Sequence, residues 1–176
     1  MMGRSHVFIG LAATTTMIAA GLIDVSPATL VAALIGSLAP DIDTPQSTLG
    51  RLLFFVSYPF NAAIGHRTGT HSLIALVVCM CLALVIEAAG FAGAGLAFFV
   101  GYAAHIGADL LTREGCAFLY PWDRTRYVFW PAIMTGGLGE PFAALSIVAL
   151  RLATAYWLDP QTFDLLARLR HFRVRG

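Results

Sequence analysis

Apolar residues fall in long runs separated by short polar, proline- or glycine-containing breaks, rather than in a strict alternation of apolar and polar positions. Runs of this kind predict buried or membrane helices. The first, Val7 to Ile23, is broken by Asp24 and Pro27, and a second, Ala28 to Leu38, returns and stops at Pro40. With about a dozen residues this second arm falls short of the roughly 20 that cross a hydrocarbon core, so it reads as a half-crossing packed inside the protein. Residues 41–71 change character: Asp41, Asp43, Pro45, Gly50, Pro59 and Gly65 interrupt shorter apolar pieces such as Leu52 to Tyr58, which predicts a loop with an interfacial or re-entrant helix over 49–65. Ser72 to Ala89 and Phe91 to Leu111, joined at Gly90, predict a helical hairpin. Phe142 to Leu158 predicts the last crossing.

The intervening loop, 112–140, carries Trp122, Tyr127 and Trp130, whose amphipathic rings suit the headgroup level. Beyond Pro160, Arg168, Arg170, Arg173 and Arg175 beside Phe163, Leu165, Leu166 and Leu169 predict a basic amphipathic tail on the membrane surface. The expected fold is therefore all-α: a polytopic membrane bundle of four to five transmembrane or re-entrant helices over 1–159, with an interfacial helix and a tail at 160–176.

Composition strengthens this reading. The chain of 176 residues is 58% hydrophobic and 12% charged, whereas soluble domains carry about a quarter charged residues. Arg4 ahead of the first run raises the question of a cleaved signal peptide, but the immediate return through Ala28–Leu38 favours a retained hairpin. All eleven basic residues are arginine and the formal net charge is +1, which gives no general attraction to nucleic acid. Cys79, Cys81 and Cys116 form no CxxC pair and read as small buried hydrophobes.

Following the chain through these crossings puts separated polar motifs on one face. His6 starts there, the first hairpin returns Asp41 and Asp43 to it, His66 and His71 stay on it, and the second hairpin brings back His105 and Asp109. His105 and Asp109 stand at i and i+4, side by side on a helix face, where they can chelate; an ionisable pair inside a membrane helix is a functional candidate. His66-Arg67-Thr68-Gly69-Thr70-His71 puts two imidazoles around a glycine turn, and Asp41-Ile42-Asp43 supplies two carboxylates one residue apart. Seven candidate ligands exceed one tetrahedral site, so one or two divalent ions are expected, zinc first, with manganese or iron as alternatives. Arg51 and Arg67 are candidates for an anionic substrate, Asp43 for the general base, and Thr70, Ser72 and Thr112 for orienting ligands.

Taken in order, Ser5-His6, LAPDIDTPQSTLGR at 38–51, GHRTGTHS at 65–72 and GYAAHIGADLLTREG at 101–115 followed by Tyr120-Pro121 resemble the YdjM-like family of bacterial inner-membrane proteins, over about two-thirds of the chain. Ala39 stands where the family usually has leucine, and Thr68 where it usually has glycine; neither change touches a candidate ligand. The resemblance implies a multi-pass protein of the bacterial inner membrane, a metal-dependent hydrolase activity, and a distant similarity to zinc-dependent phospholipase C and P1-type nucleases. The function expected from residues and resemblance together is hydrolysis, by metal-activated water, of a phosphoester in a lipid or lipid-linked substrate. The alternative is a membrane metal sensor or transporter without enzymatic activity. Membrane lipids are the expected partners, and no nucleic-acid motif is present.

Overall fold

The computed structural model describes residues 1–137 and 139–158, with side chains through 154. It is helical: α1 (Gly3–Ala19), α2 (Pro27–Leu38), a 3-10 turn (Ala39–Asp43), α3 (Thr48–Leu52), α4 (Phe54–Ile64), α5 (Leu73–Ala88), α6 (Ala94–Leu110) and α7 (Gly139–Leu158). No strand forms among the described residues; the 112–137 loop contributes only the isolated bridges Thr112–Ile133 and Cys116–Tyr127. The basic tail expected at 160–176 lies outside the described residues.

The helix ends follow from local chemistry. Ser26 caps α2, its hydroxyl accepting from the Thr29 amide while the Thr29 hydroxyl accepts from the Ser26 amide, with Pro27 at the first helical position. Ser72 caps α5 by accepting from the Ala75 amide, so it acts at the helix start rather than on a ligand. Glu87 turns back to accept from the amides of Gly93 and Leu96, satisfying the free donors at the start of α6.

α6 is the centre of the bundle, packed against α1, α2 and α5. The approach is unusually close because small residues face each other. A Cβ on Gly36 would lie 2.1 Å from the Phe98 carbonyl oxygen, one on Gly101 2.5 Å from the Ala33 carbonyl oxygen, and one on Gly10 1.9 Å from Ser37 Oγ. This is the small-residue contact by which membrane helices bring backbones together. The turn after α1 and the turn before α6 also meet, since a Cβ on Gly93 would lie 3.6 Å from the Asp24 nitrogen.

The bundle turns much apolar surface outward: Leu30, Val31 and Ile35 on α2, Val77 and Val85 on α5, and Leu145 on α7 are all exposed. Patches of this extent mark an interaction with membrane or protein. The expected full crossings are not met by individual helices. Among the described residues, no helix is long and apolar enough to cross a membrane. α5 and α6, at 16 and 17 residues, reach only about 24–26 Å by helical rise, against a hydrocarbon core of about 30 Å. The segment expected as interfacial or re-entrant forms two short helices, α3 and α4, whose residues Leu52, Phe55 and Tyr58 are exposed.

The glycine contacts predict opposite outcomes for two substitutions. Gly36→Val forces side-chain atoms onto the Phe98 backbone and is expected to lower stability by roughly 1–3 kcal/mol. Gly107→Ala, with nothing within 4 Å of the added Cβ, is expected to raise it by about 0.5–1 kcal/mol. Thermal unfolding of the detergent-solubilised variants measures both.

Candidate metal centre

Each polar motif reaches one end of the bundle on a different element. His6 lies in the second turn of α1, Asp41 and Asp43 in the 3-10 turn after α2, His66 and His71 in the loop between α4 and α5, and His105 and Asp109 near the end of α6. Three overlapping groups result, each with ligand atoms within 4.8 Å of one another: His6, His105 and Asp109; Asp41, His71 and His105; Asp43, His66 and His71. Every candidate ligand named from the sequence belongs to at least one group. His6, Asp43, His71, His105 and Asp109 are fully buried, Asp41 is largely so, and the His66 side chain is 36% exposed.

The hydrogen bonds sort these residues into two layers. His105 Nδ1–H donates to the Ser37 carbonyl at 2.7 Å, which leaves Nε2 as the lone-pair nitrogen. His71 Nδ1 lies 2.9 Å from Thr70 Oγ1 and 3.3 Å from Asp43 Oδ2, and its Nε2 likewise turns inward. The inward atoms His71 Nε2, His105 Nε2 and Asp109 Oδ2 are separated by 3.3, 3.4 and 3.7 Å. Asp41 Oδ1 lies 3.5 Å from His105 Nε2, and His6 Nε2 lies 3.4 Å from Asp109 Oδ1. Donors bonded to one tetrahedral zinc at its usual distances stand roughly 3.3–3.5 Å apart.

Three further observations bear on whether these residues fit a cation. Both ring nitrogens of His6 and Asp109 Oδ2 are buried without a hydrogen-bond partner, an arrangement that native structures avoid unless something satisfies it. The His105 lone pair faces His71 Nε2 and a carboxylate oxygen, an arrangement that a proton or a cation between them satisfies. Burial alone would lower the His71 imidazole, but Asp109 and Asp43 outweigh it and push its pKa up to about 9, so in the absence of metal a proton fills that role. The donor set of imidazoles and carboxylates, with outer hydrogen bonds fixing the rings, fits a divalent ion such as zinc.

Asp43 belongs to the outer layer. Its Oδ1 accepts from the Thr44 hydroxyl and lies 2.8 Å from His66 Nδ1, and its Oδ2 accepts from the Arg67 amide and the Thr70 hydroxyl. Burial would raise its pKa, yet the His66 and His71 hydrogen bonds hold it well below the usual carboxylate range. The expected uncommitted base is thus fully engaged. Asp41, also held low by His105 against the effect of burial, instead lines an open cleft of about 390 Å³ together with His66, Arg51, Thr44 and Ser47.

The two arginines part company. Arg51 is exposed on the wall of this cleft. Arg67 is 2% exposed, and its guanidinium donates to Asp109 Oδ1 at 2.8 Å, Thr112 Oγ1 at 3.1 Å and Glu114 Oε2 at 2.5 Å. It is an internal counter-ion that fixes Asp109, not a free hand for substrate.

Several participants carried no sequence signal. The Ser37 contribution is a backbone carbonyl, and Asn61, which donates to the Asp43 carbonyl at 2.7 Å, sits in a helix without a charged residue. Glu140, 1% exposed, accepts from Ser5 Oγ and the Met2 and Gly136 amides, and thereby pins the start of α7 to the start of α1 beside His6. Its only visible cue was an acidic residue in the first turn of a helix.

The family model described as "YdjM inner membrane protein" matches residues 1–165. Inner membrane protein YdjM of Escherichia coli (strain K12) is 39% identical over 92 residues, covering 51% of this chain and 47% of that protein, and the Shigella flexneri protein of the same name matches equally. The uncharacterized protein YvsG of Bacillus subtilis (strain 168) is 32% identical over 159 residues, 89% of this chain and 94% of that one. The alignment thus spans about half the length of the two YdjM relatives and nearly all of YvsG. No solved structure matches. The chain belongs to the YdjM inner membrane protein family.

The contrast around Arg67 is testable. Arg67→Met leaves Asp109 buried beside no guanidinium and is expected to cost about 3–5 kcal/mol. Glu114→Gln, at a side chain 55% exposed, is expected to cost about 1 kcal/mol or less. Denaturation of the two variants under identical detergent conditions gives the comparison.

Proposed function

We propose that this member of the YdjM family is a membrane-embedded, metal-dependent hydrolase acting on a phosphoester of a lipid or lipid-linked substrate. The single observation that carries the reading is the convergence of the His71, His105 and Asp109 donor atoms to within 3.7 Å of one another, with Asp109 Oδ2 and His6 otherwise unpartnered. In this reading His71, His105 and Asp109 would hold the ion beside His6, Asp41 stands next to them as an uncommitted carboxylate, and Asp43 and His66 orient the rings or share a second ion. A bound divalent ion supplies Lewis acidity, which lowers the pKa of water and polarises a phosphoryl oxygen.

The chain's own residues do the rest. Asp41, on the cleft wall, takes the proton of the attacking water, the role expected from sequence for Asp43. Arg51, on the same wall, pairs with the phosphoryl oxygens. Arg67, through Asp109, and Thr70, through Asp43, keep the donors in place. The outward apolar faces of α2, α5 and α7 meet lipid in the inner membrane, and the short helices are accommodated by local bilayer thinning and re-entrant packing. The ligands gather at one end of the bundle, whereas the transporter alternative requires them along a path through it.

Metal analysis of protein purified without chelator is expected to find at least one zinc or manganese ion per chain. His105→Ala and Asp109→Asn are expected to lose at least 10-fold in metal affinity while still partitioning into the membrane fraction. Hydrolysis of an aryl phosphodiester is expected to vanish with chelator and return with metal. Metal-free wild-type protein, or undiminished metal in both variants, overturns the reading.

A further inference from the structure

A second concavity lies on the other side of the 66–72 turn from the cleft. It is a groove of about 620 Å³ between α5 and α6, floored by Cys79, Phe98 and Tyr102 and walled by Ala75, Val78 and Leu82. No charged side chain lines it. At one end it is closed by Gly69, Thr70, Tyr120 and Pro121, at the level of the metal centre. From there it runs along α5 from Ser72 to Leu82, a length of about 15 Å by helical rise.

Three features identify the occupant. The groove's volume and apolar lining with a polar end match sites that hold the apolar body of a small molecule and fix its head. Its length equals about one leaflet of a hydrocarbon core, which is about 30 Å across. Its rim continues into the exposed Val77, Val78 and Leu82 on α5, so it opens sideways into the medium that covers that face, and for a member of an inner membrane protein family that medium is the bilayer. Tyr102 closes the floor at the polar end by donating to the Thr70 carbonyl at 2.6 Å, which keeps the groove separate from the buried ligands.

We propose that this groove binds one acyl chain of a membrane phospholipid, with the headgroup at the 69–72 turn. The inference rests on family membership in the inner membrane and on the groove itself; it does not require the metal centre to be hydrolytic.

The test uses the full chain in vesicles of phosphatidylethanolamine and phosphatidylglycerol doped with phosphatidylglycerol bearing a diazirine in its acyl chain. After illumination, adducts are expected to concentrate on peptides covering 72–82 and 98–102. Val78→Trp, at a position 61% exposed, fills the groove from its rim and is expected to reduce those adducts at least fivefold. Val85→Trp, 63% exposed on the same helix but outside the groove, is expected to leave them unchanged. Equal helical circular dichroism and thermal unfolding midpoints in all three proteins show that the variants have folded; should Val78→Trp unfold, Ala75→Phe replaces it. Adducts spread evenly over the apolar surface, or groove adducts that persist in the filled variant, overturn the proposal. Neither outcome depends on whether the protein hydrolyses a phosphoester.

Discussion

The close approach of α2 and α6 is the constraint on which the rest depends. At Gly36 and Gly101 no side chain stands between the two backbones, and this places the last turn of α2 against the middle of α6. Ser37 is therefore close enough for its carbonyl to accept from His105 Nδ1. One packing contact thus fixes a ring tautomer, and the tautomer sets which nitrogen faces the His/Asp cluster. Because the 3-10 turn follows α2 directly, the same contact carries Asp41 and Asp43 to their positions.

Electrostatics then organises the end of the bundle that packing has assembled. Asp109 lies among the Arg67 guanidinium, the Met1 amino group, and ring nitrogens of His6, His71 and His105. Its Oδ1 is satisfied by Arg67 and Met1, while Oδ2 has no donor. A carboxylate with one oxygen anchored and one free has a defined direction, which a freely rotating side chain lacks. Asp43 is anchored through both oxygens and serves to hold the 66–71 turn.

Much of this was legible in the sequence, for a physical reason. Hairpin connectivity depends on run lengths and breaks, both visible as hydropathy, and alternating directions were enough to send His6, Asp41, Asp43, His66, His71, His105 and Asp109 to one end. The helical class followed from the same runs, and the family from the ordered motifs. The assignment of roles within the cluster was not legible. Whether Asp43 or Asp41 is free, and whether Arg67 faces substrate or Asp109, depends on partners dozens of residues away, such as Thr112 and Glu114 for Arg67. The crossing expected from Ser72 to Ala89 failed for a different reason: an apolar run that looks continuous in sequence loses residues to caps and turns, so the helix runs only from Leu73 to Ala88.

Thr70 gives the molecule a shared wall. Its hydroxyl holds Asp43 and touches His71, while its carbonyl accepts from Tyr102 and its residue closes the end of the apolar groove. A charged cluster and an apolar groove thus lie on either side of this residue. Thermodynamic reciprocity then applies: if a guest in the apolar groove alters the grip on an ion by some factor, the ion alters the grip on the guest by the same factor. If the groove holds an acyl chain and the cluster an ion, as proposed above, Thr70 is the residue at which the two occupancies meet.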